Sequence, residues 1–372
     1  MSPRVLFHVN HLWGVGHFSR IAAIANAVVG AGGNATVLCG NRPLAGRLRP
    51  DVRLIELPHL RSPDATYAGL VDANGNRPDA ALWQARADII DAELAAAPPD
   101  VVVTETFPFG RRKLSAELLH LIAAAKSYGA AVVSSIRDLP TPPHDQRRLD
   151  ECAIRLRDHY DLVLVHGDPA IIGLQDVWPG EMPVRVAMTG YVGVQPESVE
   201  QRRGVIVSAG GGGDATAVLD VAMRSRKAGL LPDEPWTFVT GPNAAHLVDR
   251  LRADAPANTE ILVETPDLPR RIASARLSIS RGGYNTMIET VAAGTPAVII
   301  PHAPPGEPEQ ETRARLFAAQ GLVSCPDEAG LTPESLAERC VRLLSQTQHS
   351  AHLDLNGAAR SASLLAELAE GR

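Results

Sequence analysis

Residues 277–289 read LSISRGGYNTMIE, a short apolar run, a pair of glycines and the start of a helical pattern. Leu277–Ser280 suits a buried strand, Gly282-Gly283 turns the chain, and Asn285–Ala293 continues as a helix. The first N–H groups of such a helix have no internal partners, and glycines let a ligand approach the main chain. A helix start favours an anion by about 0.3–1 kcal/mol, nearer 2 when partly buried. Ser280, Arg281, Gly282, Gly283, Asn285 and Thr286 are therefore a candidate diphosphate cradle. Glu289 falls one turn into the helix, where its carboxylate can accept hydrogen bonds from both ribose hydroxyls. The same pattern also suits an ordinary helix cap with a satisfied glutamate.

Working outward, GTPAVIIP over 294–301 reads as the next strand, followed by a loop rich in Pro, Gly and Glu. Glu309-Gln310 then opens a helix over Glu309–Ala319. Loops at the carboxyl ends of parallel strands are where such sheets bind ligands. Gln310 offers a donor and an acceptor that suit sugar hydroxyls. Upstream, Gly204–Ser208, Trp236–Thr240 and Glu260–Val263 read as strands. The first of them runs into Gly210, Gly211, Gly212, Gly213 and Asp214. That loop can wrap phosphate oxygens or serve as a plain turn. It is not a Walker A loop, because no Gly-Lys-Ser/Thr follows, and it lacks the dinucleotide spacing.

The first half repeats the alternation. Val5–Val9, Ala35–Cys39, Val52–Leu57, Val101–Thr104, Ala131–Ile136 and Leu162–His166 read as strands, with helices over Ser19–Gly30, Ala80–Ala97 and Lys113–Tyr128. Alternation of this kind predicts parallel sheets covered on both faces. The fold class is α/β, two Rossmann-like domains with parallel sheets facing each other across a cleft. The expected domains are 1–193 and 204–350, joined by a proline-containing linker over 194–203. Residues 351–372 form a helical tail placed to pack back on the first domain.

With 372 residues, the chain is too long for one ordinary core. A net charge of -6, with acidic and basic residues mixed, argues against a nucleic-acid surface. Four scattered cysteines form no CxxC pair, which fits a reduced, cytoplasmic setting. No segment approaches the roughly 18 continuous apolar residues of a transmembrane span, so membrane contact would be peripheral. No residue pattern specifies an oligomeric state.

The second strong signal is HVNHLWGVGHFSR over 8–20. Gly14 and Gly16 bend the chain after the first strand and leave His17 at the mouth of the expected cleft. A neutral imidazole there can take a proton from an acceptor nucleophile, since its ordinary pKa lies near neutrality. A polar cap explains a lone histidine at a helix start equally well. His11, Trp13, Gly16, Glu105 and Arg137 lie at or just beyond predicted strand ends and are candidate acceptor contacts, as are His8, Asp138 and His166. No Asp-x-Asp pair and no HExxH spacing occurs, so the reading requires no metal.

The segment 277–314 resembles the donor-binding region of glycosyltransferase family 28, the MurG-like family. Further pieces, TETFPFGRRKLSAEL from Thr104, SSIRDLP from Ser134, VHGDP from Val165 and TGYV from Thr189, resemble a group of predicted MurG-related glycosyltransferases. The resemblance implies a GT-B fold, an inverting reaction and a UDP-sugar donor, with no cofactor beyond that substrate. It places diphosphate at Gly282–Gly283 and the glycine loop, ribose on Glu289, and the sugar near Glu309-Gln310. It puts the base on main-chain groups around Thr265–Leu268, and makes His17 the catalytic base toward a small-molecule or lipid-linked acceptor. The residues themselves are also compatible with ADP, GDP or dTDP.

Two other readings keep the fold. The Gly-x-Gly-His-x-x-Arg pattern also resembles a nucleotide-sugar hydrolase, in which water replaces the acceptor. A non-catalytic sugar-nucleotide-binding protein would hold the donor without turnover.

Overall fold

A computed structural model describes residues 2–12, 16–63, 69–140, 146–196, 199, 201–210, 214–303, 308–346 and 353–371. The chain divides into two compact units, Met1–Val192 with Asp354–Arg372, and Gly193–Leu353.

The first unit runs β1 (Arg4–Val9), α1 (Gly16–Gly30), β2 (Asn34–Cys39), β3 (Arg53–Glu56), α2 (Ala80–Ala96) and β4 (Val101–Glu105). It continues through α3 (Ser115–Ser127), β5 (Ala131–Arg137), α4 (Gln146–His159), β6 (Leu162–His166), α5 (Leu174–Val177) and β7 (Val186–Met188). Its seven strands pair in the order β3-β2-β1-β4-β5-β6-β7, all parallel. The central strands are almost continuously apolar because both faces are covered; all five residues of β4 and of β6 are buried. Asp79 starts α2 by accepting the Leu82 amide at 2.8 Å, which satisfies one of the helix's orphan donors.

The second unit runs β8 (Val205–Ser208), α6 (Thr216–Lys227), β9 (Trp236–Val239), α7 (Val248–Asp254), β10 (Thr259–Leu262) and α8 (Leu268–Ser274). Then come β11 (Leu277–Ser280), α9 (Tyr284–Ala292), β12 (Ala297–Ile299), α10 (Glu309–Ala319) and α11 (Pro333–Ser345). Five parallel strands pair as β10-β9-β8-β11-β12. The core between this sheet and α6 and α11 holds Trp236, Phe238, Leu219 and Leu336.

The last helix, α12 (Gly357–Glu370), belongs to the first unit. Ala362 and Leu365 share one core with Phe18, Ile21 and Ile24 of α1. The two chain crossings are stitched together on this side. Tyr191 N–H donates to Asp354 O at 2.7 Å, and Gly357 N–H donates to Tyr191 O at 3.1 Å. A side chain at Gly357 would meet the Gly190 and Tyr191 carbonyls at 2.5 and 2.6 Å, so only glycine fits there.

The stretch read as a linker, 194–203, is partly built into the second unit. Arg202 Nη1 donates to Thr295 Oγ1 at 2.5 Å, its Nη2 donates to Ala293 O, and Arg203 N–H donates to Ser274 O at 2.9 Å. Among the described residues no helix is long and apolar enough to cross a membrane.

Candidate functional site

In each sheet the strand order reverses once, between β1 and β4 in the first unit and between β8 and β11 in the second. Open parallel sheets bind ligands at the carboxyl ends of the strands flanking such a reversal. The two motifs singled out from sequence follow those strands.

In the first unit, Glu105 is the last residue of β4 and His17 sits in the first turn of α1. His17 Nδ1 lies 2.5 Å from Glu105 Oε1. An ionised carboxylate only accepts, so Nδ1 carries the proton and Nε2 keeps a lone pair. Three further donors converge on the same carboxylate. Arg20 Nη2 and Thr106 Oγ1 donate to Oε1, the latter at 2.5 Å, and Arg111 Nη2 donates to Oε2 at 3.2 Å. Burial opposes ionisation of Glu105, but His17, Arg111 and Arg20 outweigh it and hold the carboxyl well below its usual range. Burial of His17, reinforced by the positive charge of Arg111, lowers its pKa to about 3 even though Glu105 pulls the other way. The pair is therefore a neutral imidazole on an ionised carboxylate.

Two residues of the segment after β4 have left-handed backbones, Thr106 at φ 65° and Arg111 at φ 58°. Such conformations cost about 1–3 kcal/mol each for residues other than glycine. A β-branched threonine is an outlier there.

Glu105 was read as an acceptor contact; its side chain is fully buried, and four donors, His17 among them, converge on its carboxylate. His11 is buried, its ring edge-on to Phe18 at 6.2 Å, and burial followed by Arg111 lowers its pKa to about 4. Its Nδ1 has no partner among the described residues. Arg137 is half-buried at the end of β5, and its charge also disfavours protonation of His17. Gly16 is the first residue of α1; Trp13 lies outside the described residues.

Two other histidines at strand ends are buried among polar partners. His166 is fully buried between Ser135 Oγ and Thr189 Oγ1, each at 2.8 Å. His8 contacts Glu117 at 2.9 Å, and Glu117 also accepts from Arg86 Nε at 2.5 Å and Nη2 at 2.8 Å. Arg86, 0% exposed, further binds Asn10 Oδ1 at 3.1 Å. Burial opposes ionisation of Glu117, yet hydrogen bonds from Arg86 and His8 hold its carboxyl down at about 2.

In the second unit, α9 starts at Tyr284 from Gly283, and no side chain caps it. A side chain at Gly283 would meet nothing within 4 Å, whereas one at Gly282 would lie 2.9 Å from the Gln310 carbonyl. Gly283 therefore faces open space, and Gly282 is glycine because the start of α10 presses against it. Asn285, Thr286 and Glu289 are half-buried on α9.

Three residues read as donor contacts are placed otherwise. Arg281 is 2% exposed; its Nη2 donates to Asp214 O at 2.6 Å, and its Nη1 donates to Ile300 O at 3.2 Å and lies 2.8 Å from Glu328. It ties the loops after β8, β11 and β12 together instead of offering a free charge. Ser280 is fully buried, side by side in register with Ser208, beneath the turn. Glu309 accepts from Arg313 Nη2 at 2.6 Å, so its carboxylate is engaged by an arginine. Gln310 Oε1 accepts from His302 N–H at 3.2 Å. Thr265 Oγ1 donates to Asp267, and Leu268 opens α8 just beyond it. Gly210, two residues beyond β8, takes φ 73°; Gly211, Gly212 and Gly213 lie outside the described residues.

Arg313 escaped the sequence reading. Fully buried on α10, it donates to Gly282 O at 2.9 Å and to Glu309, and sits 5.6 Å from the Tyr284 ring centre. One side chain thus fixes the glycine turn, the start of α9 and the start of α10. The i,i+4 spacing of Glu309 and Arg313 was the available signal.

Residues 236–368 match the glycosyltransferase family 28 C-terminal domain. A relative from Cupriavidus necator is named UDP-N-acetylglucosamine--N-acetylmuramyl-(pentapeptide) pyrophosphoryl-undecaprenol N-acetylglucosamine transferase. It is 28% identical over 225 residues, 58% of this chain and 61% of that protein. The chain thus spans about 60% of that relative's length. MurG of Acinetobacter baumannii has a TM-score of 0.60 at 18% identity, covering all of both chains. A calicheamicin glycosyltransferase has a TM-score of 0.62 at 16% identity, covering 100% of this chain and 94% of that one. The fold is GT-B.

Proposed function

We propose that this MurG-like chain, which carries a glycosyltransferase family 28 C-terminal domain, transfers a sugar from a UDP-sugar to a hydroxyl on a lipid-linked acceptor. The observation that carries the reading is the uncapped start of α9, opening beside Gly283 at the strand reversal of the family 28 sheet. The first turn of such a helix turns N–H groups outward, and its dipole favours an anion, which suits a diphosphate. In this proposal Gly283, Asn285 and Thr286 hold the diphosphate, with Gly210–Gly213 as a second loop. Glu289 takes the ribose, main-chain groups at Thr265–Leu268 the base, and Gln310 the sugar. UDP-N-acetylglucosamine is the proposed donor because the relative's name specifies it.

The acceptor hydroxyl attacks the anomeric carbon as the bond to the diphosphate breaks, inverting that centre. His17 Nε2 takes the hydroxyl proton, and Glu105 steadies the imidazolium that forms. Glu105 is thus a positioning residue, and His17 the catalytic one. His11, Gly16, Trp13 and Arg137 are the proposed acceptor surroundings. Metal independence is part of the proposal, with the α9 amides meeting the charge of the departing UDP. So is a cytoplasmic enzyme that meets its acceptor at the membrane surface.

The test is product analysis. The protein is incubated with UDP-N-acetylglucosamine, with and without an undecaprenyl-diphosphate sugar acceptor, and products are weighed by mass spectrometry. A glycosylated lipid and free UDP, formed only with acceptor present, support transfer. Equal sugar release without acceptor would identify a hydrolase, and an unchanged donor under both conditions a binding protein.

A further inference from the structure

Among the described residues four other than glycine have positive φ: Thr106, Arg111, Leu231 and Asn258. Asparagine tolerates that region, and Leu231 and Asn258 belong to the second unit. The remaining two lie within six residues of one another, and both side chains end on one carboxylate. Thr106 Oγ1 is 2.5 Å from Glu105 Oε1, and Arg111 Nη2 is 3.2 Å from Oε2.

The segment between them is pinned. Thr106 N–H donates to Ser135 O at 2.9 Å, and Gly110 N–H donates to Thr106 O at 2.9 Å. A side chain at Gly110 would lie 2.8 Å from Thr106 Cγ2. Glycine at 106 or 111 would satisfy the backbone at lower cost, but it would remove a donor from Glu105. Strained residues persist where the surrounding structure needs what they carry.

We propose that Thr106 and Arg111 are positioning residues whose strained backbones aim the Glu105 carboxylate at His17 and so fix the imidazole as its Nδ1–H form. Oε1 receives Thr106 and Arg20 beside His17, while Arg111 holds Oε2, so the carboxylate cannot turn. The proposal rests on His17 as the base, but it concerns the state of the ring, which can be read without any substrate.

The experiment compares the full-length protein with Thr106→Gly and Thr106→Ser, using ¹⁵N resonances of the His17 ring assigned by their loss in His17→Gln. The wild type should show a single Nδ1–H tautomer. Thr106→Gly should melt at the same or a higher temperature, show mixed tautomers, and lose about tenfold in kcat with KM unchanged. Thr106→Ser, which keeps the hydroxyl, should recover the single tautomer and the turnover. A Thr106→Gly protein with one tautomer and full turnover overturns the proposal. So does a lowered melting point in Thr106→Gly with Thr106→Ser equally impaired. If the wild type fails to bind UDP-sugar, the proposed reaction fails, while the tautomer comparison still decides this inference.

Discussion

His17 Nδ1 and Glu105 Oε1 stand 2.5 Å apart, although 88 residues separate them in the chain. The contact arises because β1 and β4 are neighbours at the strand reversal, which brings the start of α1 next to the end of β4. Glu105 accepts the Nδ1 proton, so the basic nitrogen is Nε2. The first unit thereby holds His17 as an oriented, neutral imidazole.

Replacing His17 by Gln should lower kcat by about 10²–10⁴, the usual contribution of a general base. The dissociation constant for UDP should stay unchanged, since the proposed nucleotide contacts belong to the second unit. Steady-state kinetics and calorimetric UDP titration on the same preparation check both halves.

The pH profile follows from the charges around His17. With its pKa near 3, the ring stays neutral across pH 5–8, so kcat/KM should show no acid limb from His17 in that window. Arg111 disfavours the imidazolium, and Arg111→Gln should raise the His17 pKa and move the acid limb to higher pH. A profile that stays put in the variant would contradict this electrostatic account.

Folding stability should fall in acid. His11 and His17, at about 4 and 3, and His166, also well below its ordinary value, stay unprotonated in the fold while an unfolded chain protonates them near 6.5. Their stability is therefore present above about pH 6.5 and is lost as pH falls toward the folded values. The slope is about 1.4 kcal/mol per pH unit for each group in that range. Glu117, held at about 2, adds a loss in the same direction below its ordinary value of 4.5. Urea midpoints of the first unit at pH 7.5, 6 and 5 should decrease in that order.

Arg313→Met should destabilise the second unit by about 1–3 kcal/mol, because it removes the hydrogen bonds that the fully buried guanidinium gives to the Gly282 carbonyl and the Glu309 carboxylate. Hydrogen exchange read on β11 and α9 peptides should accelerate accordingly. Protection equal to wild type would show that the clamp carries no weight.

These contacts explain what was legible in the chain and what was not. Buried parallel strands announce themselves as apolar runs, so β4, β6 and β11 stand out in the sequence, and α10 matches its helical stretch to the residue. The glycine turn at 282–283 and His17 are local patterns and were visible too. Side-chain partners contributed by distant segments were not. Arg281 looks like a phosphate ligand until its carbonyl partners appear 67 and 19 residues away. Nothing near Glu105 in the sequence announces that His17, Arg20 and Arg111 close around it. Arg313 sits in the polar helix EQETRARLFAA, where nothing local distinguishes a buried arginine from a solvated one.

Titration with UDP tests the account at its base, because the proposed transfer presupposes a nucleotide diphosphate on α9. UDP at about 100 times its dissociation constant should add roughly 2.7 kcal/mol to stability, a shift of a few degrees in the second unit's melting. Glu289→Ala should weaken that response when measured against the variant's own melting curve without ligand. Saturating UDP that leaves the wild-type melting curve unmoved would contradict the account.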